Sequence, residues 1–340
     1  MGYILPHESA DMLIERLSEK YRVFAPMSFA GGATFSGLDC VRYGEVRRLD
    51  DIVFDRKSEY SFKEALLPVC ETFFYYTEDQ VKEPDAPEKD AVIFLRSCDL
   101  HAVKRLDTIY LENGPEDHYY KRLRDRAKFV LMGCDHAFDS CFCVDMGSNI
   151  SDDYDMSMEV SGDDFLIDLK DDGLAPLFDG LDKKAGDVAP SHVTSTPTRV
   201  HIPADLTADV ARSSMWNEYD SRCINCGRCN FVCPTCTCFT MQDIFYKDNG
   251  RAGERRRVHA SCMVDGFTDV AGGGSYRKKN GERMRFKALH KALDFRQRFG
   301  FNMCVGCGRC DDVCPEYISF SNILNKLEAA QKEVRDNAEK

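Results

Sequence analysis

Hydrophobic positions recur along this chain with two different periods. Between Ser9 and Tyr21 the apolar residues Met12, Leu13, Leu17 and Tyr21 fall at helical spacing, which predicts a helix. The short runs Val23–Ala25 and Cys40–Val46 predict strands, and Ser61–Val69 predicts a helix ended near Pro68. The compact apolar run Ala91–Leu95 predicts a strand followed by a helix over Asp99–Leu106. Tyr119–Ala127 predicts a further helix, and Phe129–Met132 a further strand. Strand–helix–strand therefore repeats, the signature of a parallel sheet. Met158–Val160 and Phe165–Leu169 flank Gly162, Asp163 and Asp164 and predict a hairpin. The aromatic run Phe73, Phe74, Tyr75 and Tyr76 predicts a core strand.

Ser151–Ser195 is acidic and loop-rich, and the Ser/Thr/Pro stretch within Ser191–Pro203 reads as a linker. Beyond it the periodicity turns helical over Ala204–Trp216, Thr240–Phe245, Arg283–Phe299 and Ser319–Val334. The fold class expected is mixed, α+β: an N-terminal α/β domain over 1–200, then an α-helical, ferredoxin-type domain over 201–340.

Composition adds limits to this outline. A chain of 340 residues, 43% hydrophobic and 30% charged, is ordinary globular material with enough length for two cores. Its net charge of −12 argues against a nucleic acid or an anionic membrane as partner. No apolar run approaches the length needed to span a bilayer. Seventeen cysteines is a high and odd count in a long chain, which fits a secreted disulfide scaffold badly. The first residues show no basic stretch followed by an apolar run, so the expected location is the cytoplasm, where clustered thiols bind metal or do redox work.

One internal repeat carries chemistry. Cys223, Cys226, Cys229 and Cys233 precede Pro234, and Cys304, Cys307, Cys310 and Cys314 precede Pro315. Both copies read C-x2-C-x2-C-x3-C-P, the ligand run of two-cluster ferredoxins. Three cysteines at intervals of three wrap one cubane, and the fourth points to the other cluster. One [4Fe–4S] cluster is accordingly assigned to Cys223, Cys226, Cys229 and Cys314, and a second to Cys304, Cys307, Cys310 and Cys233. Gly227 and Gly308 would let the backbone turn tightly toward the sulfurs, and the prolines would open the next helices. Zinc sites use separated C-x2-C pairs and explain a doubled triple run poorly.

A second set of cysteines lies in the N-terminal half. Cys98 follows the strand Ala91–Leu95, and Cys134 follows Phe129–Met132. In a parallel sheet these strand ends share one edge, outside which ligands bind. Cys141 and Cys143 follow in the second loop, so four thiols would suffice for a third [4Fe–4S] cluster. The competing readings are a zinc site, or two buried strand-end thiols with two incidental loop cysteines. Asp99 and Asp135 read as helix caps and not as catalytic acids.

Cys236, Cys238 and Cys262 are surplus to the eight ferredoxin-type ligands and would pack beside a cluster or simply in the core, and Cys40 and Cys70 read as core residues. His101, His259 and His290 have no partner at ligand spacing. Arg228 and Arg309 repeat beside the cysteines, offsetting cluster charge, docking an acidic partner or simply solvated. Neither Gly31-Gly32 nor Gly272-Gly273-Gly274 forms a dinucleotide fingerprint, and no P-loop occurs, so a flavin or NADH belongs on another chain. No side chain is assigned a catalytic role. The residues alone give an electron-transfer subunit. They leave open a stand-alone iron–sulfur enzyme at the N-terminal crevice, or a metal-stabilised structural protein.

The pieces Ser61–Pro68, Arg96–Ala102, Cys141–Cys143, Cys233–Phe239, Ala271–Gly273 and Cys304–Cys310 together resemble, over nearly the whole chain, the family of iron–sulfur electron-transfer subunits of anaerobic sulfite reductase. That family is similar to the iron–sulfur β subunit of cytoplasmic sulfhydrogenases. The resemblance implies a cytoplasmic three-part complex in which this chain relays electrons. One partner subunit would bind FAD and NADH, and another, with sirohaem, would reduce sulfite to sulfide. The alternative it leaves is the iron–sulfur β subunit of a hydrogenase or sulfhydrogenase, or of another flavin-linked oxidoreductase.

Overall fold

The computed structural model describes residues 1–32, 38–248 and 250–338. The chain divides into two units, neither of them continuous in sequence. The first comprises Met1–His136, Ile150–Val193 and Phe239–His259; the second comprises Ala137–Asn149, Thr194–Cys238 and Ala260–Lys340. The divide expected near residue 200 is thus crossed twice, by residues 137–149 and by residues 239–259.

The first unit is built on strands β1 (Gly2–Pro6), β2 (Arg22–Phe29), β3 (Cys40–Glu45), β4 (Cys70–Tyr76), β5 (Val81–Lys82), β6 (Ala91–Leu95), β7 (Ala127–Met132), β8 (Met156–Ser161), β9 (Asp164–Asp168), β10 (Lys184–Ala185), β11 (Phe239–Phe245) and β12 (Gly253–His259). Eight of them form one mixed sheet in the order β10-β1-β9-β8-β7-β6-β2-β3. Its centre, β2, β6, β7 and β8, is parallel. Such strands are buried on both faces, which is why Val92, Ile93, Phe94 and Leu95 form an unbroken apolar run. Helix α1 (His7–Lys20) joins β1 to β2 and buries Leu13, Ile14 and Leu17. Each such side chain contributes about 1.5–3 kcal/mol by leaving water. Helix α2 (Ser97–Tyr110) follows β6, and α3 (His118–Arg124) precedes β7. The β8–β9 hairpin turns at Gly162, whose φ of 63° is the left-handed value such a turn demands.

Strands β11, β12, β4 and β5 form a separate antiparallel sheet in that order. The helix expected over Thr240–Phe245 is therefore a strand. Its apolar residues Phe239, Met241, Ile244 and Phe245 satisfy either period over so short a span, and full pairing with β12 settles it. The helix expected over Ser61–Val69 is only a 3-10 turn at Phe62–Ala65.

The second unit is mainly helical: α4 (Glu218–Arg222), α5 (Arg228–Phe231), α6 (Asn280–Leu289), α7 (Phe295–Phe299), α8 (Arg309–Asp312), α9 (Phe320–Asn325) and α10 (Leu327–Ala338). Ala204–Trp216 forms two 3-10 turns in place of the expected helix, Ala208–Arg212 and Ser214–Asn217. Between α6 and α7 the helix widens into a π turn at His290–Asp294. Widened turns of this kind recur at functional sites. Its core includes Trp216, Tyr219, Met284, Ala288, Ala292, Phe320 and Leu324, with Cys304 among them.

Candidate metal centre

Each cysteine run is a loop followed by a single helical turn, and the two loops share one backbone trace. Gly227 and Gly308, with φ of 74° and 73°, stand at the N-caps of α5 and α8. Two residues earlier, Asn225 and Gly306 also take positive φ, 57° and 66°. The double left-handed bend curls each loop inward. Gly306 donates its N–H to Cys304 Sγ at 3.5 Å, and Ile318 donates to Cys314 Sγ at 3.3 Å. A Cβ at Gly308 would collide with the backbone of Ser140, so the close approach needs glycine there.

The loops enclose two adjoining cavities. Cys223, Cys226, Cys229, Cys310 and Cys314 line the first, with Met263, Met284, Ile318, Phe320 and Ile323 beside them. Cys229, Cys233, Cys304, Cys307 and Cys310 line the second, with Phe142 and Val305. Each cavity thus meets three thiols of one run and the last two of the other. Cys229, Cys310, Lys287 and Phe320 border both. Among the described residues, no group of three His, Cys, Asp or Glu side chains is placed to hold a single metal ion. A cubane has an iron at each ligated corner, so its thiolates stand around a cage instead of converging on a point. With the shared Cys229 and Cys310 each given to the cavity of its own run, four thiols stand around each hollow, which fits that donor geometry.

Two lysines complete the site, and the sequence reading passed over both. Lys287, the last basic residue of α6, is 4% exposed, and Lys291, one turn later in the π segment, is 3% exposed. Lys291 Nζ donates to Cys233 Sγ at 3.4 Å and to Thr235 Oγ1 at 2.9 Å. The Lys291 carbonyl accepts the N–H groups of Met303 and Cys304. Lys287 Nζ lies 5.0 Å from the centre of the Phe320 ring. Burial alone would push both ammonium groups down. Once ionised, the surrounding cysteines outweigh it: Cys229, Cys310 and Cys236 hold Lys287 up, while Cys233, Cys236 and Cys304 hold Lys291 up. Burial also pushes the Cys304 thiol up to about 12, against the pull of Lys291. A thiol so placed ionises only toward strong positive charge, such as bound iron supplies.

The surplus thiols cluster here too. Cys236 is raised chiefly by its hydrogen bond with Cys233, and Cys262 chiefly by its hydrogen bond with Cys238. Asn230 Nδ2 also donates to Cys262 Sγ at 3.1 Å. Arg309 is 2% exposed, which removes the solvated reading for it, and Arg228 borders the first cavity.

The four N-terminal cysteines divide between the units. Cys98 and Cys134 belong to the first unit, beyond the C-terminal ends of the parallel neighbours β6 and β7, as the strand pattern implied. Between them, Arg96 donates to Cys134 Sγ at 3.2 Å and to the Gly133 carbonyl at 3.1 Å. Cys141 and Cys143 belong to the second unit, where both are buried. Cys141 Sγ faces the Cys307 carbonyl at 3.7 Å, and Ser148 Oγ donates to the Val305 carbonyl at 2.6 Å. Asp99 is buried inside the first turn of α2, whose N-cap is Arg96, and Asp135 is exposed beside His136, so neither sits at a cap position.

His101 bonds the Ile150 carbonyl, His259 ends β12 and His290 stacks on Phe286; none borders either cysteine cavity. Among the described residues no helix is long and apolar enough to cross a membrane.

Comparison with known proteins agrees with this geometry. Residues 222–318 match the model of the 4Fe-4S dicluster domain, which spans both cysteine runs. No solved structure is matched significantly. Over nearly its whole length the chain is similar to the sulfhydrogenase 2 subunit beta of Pyrococcus furiosus, at 29% identity over 350 residues covering 96% of this chain and 98% of that one. The chain is an iron–sulfur protein with a C-terminal dicluster domain, and the relative found is the sulfhydrogenase alternative of the sequence reading in preference to a sulfite reductase component.

Proposed function

We propose that this chain is the electron-relay subunit of a multi-subunit redox complex, holding two [4Fe–4S] clusters side by side in its second unit. The observation that carries the reading is the pair of adjoining cavities, each bordered by three cysteines of one run and the last two of the other, with Cys229 and Cys310 shared between them. Cys223, Cys226, Cys229 and Cys314 would hold one cluster, and Cys304, Cys307, Cys310 and Cys233 the other. When bound, such clusters supply one-electron carriers with potentials anywhere from about −700 to +450 mV.

The chain's own residues do the rest. The left-handed bends at Gly227 and Gly308 aim the thiols inward. Met263, Met284, Ile318 and Ile323 give the first cavity an apolar inner wall, and Phe142 and Val305 do so at the second. Lys287 and Lys291 place positive charge against the sulfurs. No acid–base pair is required, because the chain moves electrons and makes no bonds.

The likeness to a sulfhydrogenase β subunit favours a hydrogenase-type complex. A flavin-bearing partner, supplying or accepting electrons, is proposed because the sequence carries no dinucleotide fingerprint. Sulfite reduction through a sirohaem partner is the second reading, and it rests on the likeness of the whole sequence and on no single residue. Two tests apply. Anaerobically purified chain should carry about eight iron and eight sulfide for two cubanes; a chain without iron contradicts the proposal. In the assembled complex, Cys310→Ser should stop electron flow from the flavin-bearing partner to the catalytic one, and an unchanged rate would remove the relay role.

A further inference from the structure

The two cavities differ in their surroundings. The first opens toward water: Cys226 is exposed, and Ile224 at its rim is 56% exposed. The second is enclosed, with Cys304 at 9% and Cys307 at 7% exposure. Adding an electron to a cluster adds negative charge, and a site shut off from water opposes that. Enclosure alone would make the second cluster much the harder to reduce.

Charge is distributed the opposite way. Lys287 borders both cavities, whereas Lys291 borders only the second and places its Nζ 3.4 Å from Cys233 Sγ. Lys291 is held there from both ends. Its ammonium is fixed by Thr235, itself fully buried, and its carbonyl takes the N–H groups of Met303 and Cys304, where the second run begins. The π turn around it is what lets a residue within the helix serve that second backbone. A buried ammonium in this position is costly unless negative charge stays beside it.

We propose that Lys291 offsets the enclosure of the second cluster by raising its reduction potential selectively, while Lys287 raises both. The inference rests on the two-cluster reading above. It assigns these lysines a positioning of charge and no catalytic contact with substrate. In the reduction step each cluster takes one electron from the external reductant; no bond forms or breaks, and both lysines keep their protons.

The experiment is an EPR-monitored redox titration of the full-length chain with dithionite and mediators, on the unaltered protein and on Lys291→Met, Lys291→Gln, Lys291→Arg and Lys287→Met. Two one-electron transitions are expected in the unaltered chain; their absence would refute the two-cluster reading itself and not merely this inference. With both present, Lys291→Met should move one transition down by a tenfold loss in reduced-to-oxidised ratio at fixed potential, about 59 mV, and leave the other in place. Lys287→Met should move both. Lys291→Arg, which keeps the charge, should restore the unaltered titration. Should Lys291→Met lose iron, Lys291→Gln decides the point, since it keeps a donor for Thr235 while removing the charge. Unmoved transitions in the neutral Lys291 variants, or both moving equally, would overturn the proposal.

Discussion

Asn225 and Gly306 hold equivalent places in the two cysteine loops, and both have left-handed backbone, at φ 57° and 66°. One loop therefore places a side chain in a conformation that the other reserves for glycine. Asparagine is among the few side chains that accept it. Asn225→Gly should leave stability within about 1 kcal/mol of the unaltered chain. Gly306→Ala should cost more than about 2 kcal/mol, because the backbone resists and the new Cβ would stand 2.5 Å from the Phe142 carbonyl oxygen. Denaturant unfolding of both variants, with iron content alongside, checks the contrast.

In the first unit, Arg257 of β12 is a buried cation tying three elements. It reaches Glu71 of β4 at 2.8 Å and Asp117, the N-cap of α3, at 2.7 Å. Glu71 also meets Arg122, at the longer distance of 3.8 Å. Arg257→Met should destabilise this unit by about 3–5 kcal/mol, since it leaves a buried carboxylate poorly paired. Adding Glu71→Leu should recover much of the loss, which a thermal melt of the double variant measures.

Two half-buried imidazoles give the chain an acid limit. Burial, with Lys63 and Arg257 nearby, lowers His259 to about 4; burial, with Lys291 and Arg277, lowers His290 to about 4. Both stay neutral in the folded chain while their unfolded counterparts take up protons below about pH 6.5. The unfolded state then binds more protons, so stability falls as pH drops from about 6.5 toward 4. His259→Gln with His290→Gln should flatten the slope of stability against pH across that window, and an undiminished slope would contradict it.

The third cluster drawn from Cys98, Cys134, Cys141 and Cys143 is decided by counting iron. Three cubanes give about twelve iron per chain and two give about eight. Replacing Cys141 and Cys143 together should lower the count by about four if they are ligands. An unchanged count limits the chain to the dicluster pair.

Much of this was legible in the sequence. The paired runs at Cys223–Cys233 and Cys304–Cys314 announce their chemistry by spacing alone, and the strands Ala91–Leu95 and Phe129–Met132 place Cys98 and Cys134 at one sheet edge by apolar pattern and topology. Other features depend on long-range packing. Phe239–Phe245 becomes a strand only because Gly253–His259 pairs with it, and those residues in turn pair with Cys70–Tyr76, far earlier in the chain. Lys287 and Lys291 belong to no motif, and lysine is rarely buried without a partner, so residue type alone does not mark them. The signal available was their spacing of four among Met284, Ala288 and Ala292, which puts both on one face of a helix hidden elsewhere.

The crossing of the ligands between the two runs is tested most directly by EPR of the reduced chain carrying single Cys→Ser changes. Cys314→Ser should alter the same signal as Cys226→Ser, and Cys233→Ser the same signal as Cys307→Ser, each leaving the other cluster's signal intact. Should Cys314→Ser instead alter the signal that Cys307→Ser alters, the two runs would each hold a cluster alone and the account of the paired cavities would be wrong.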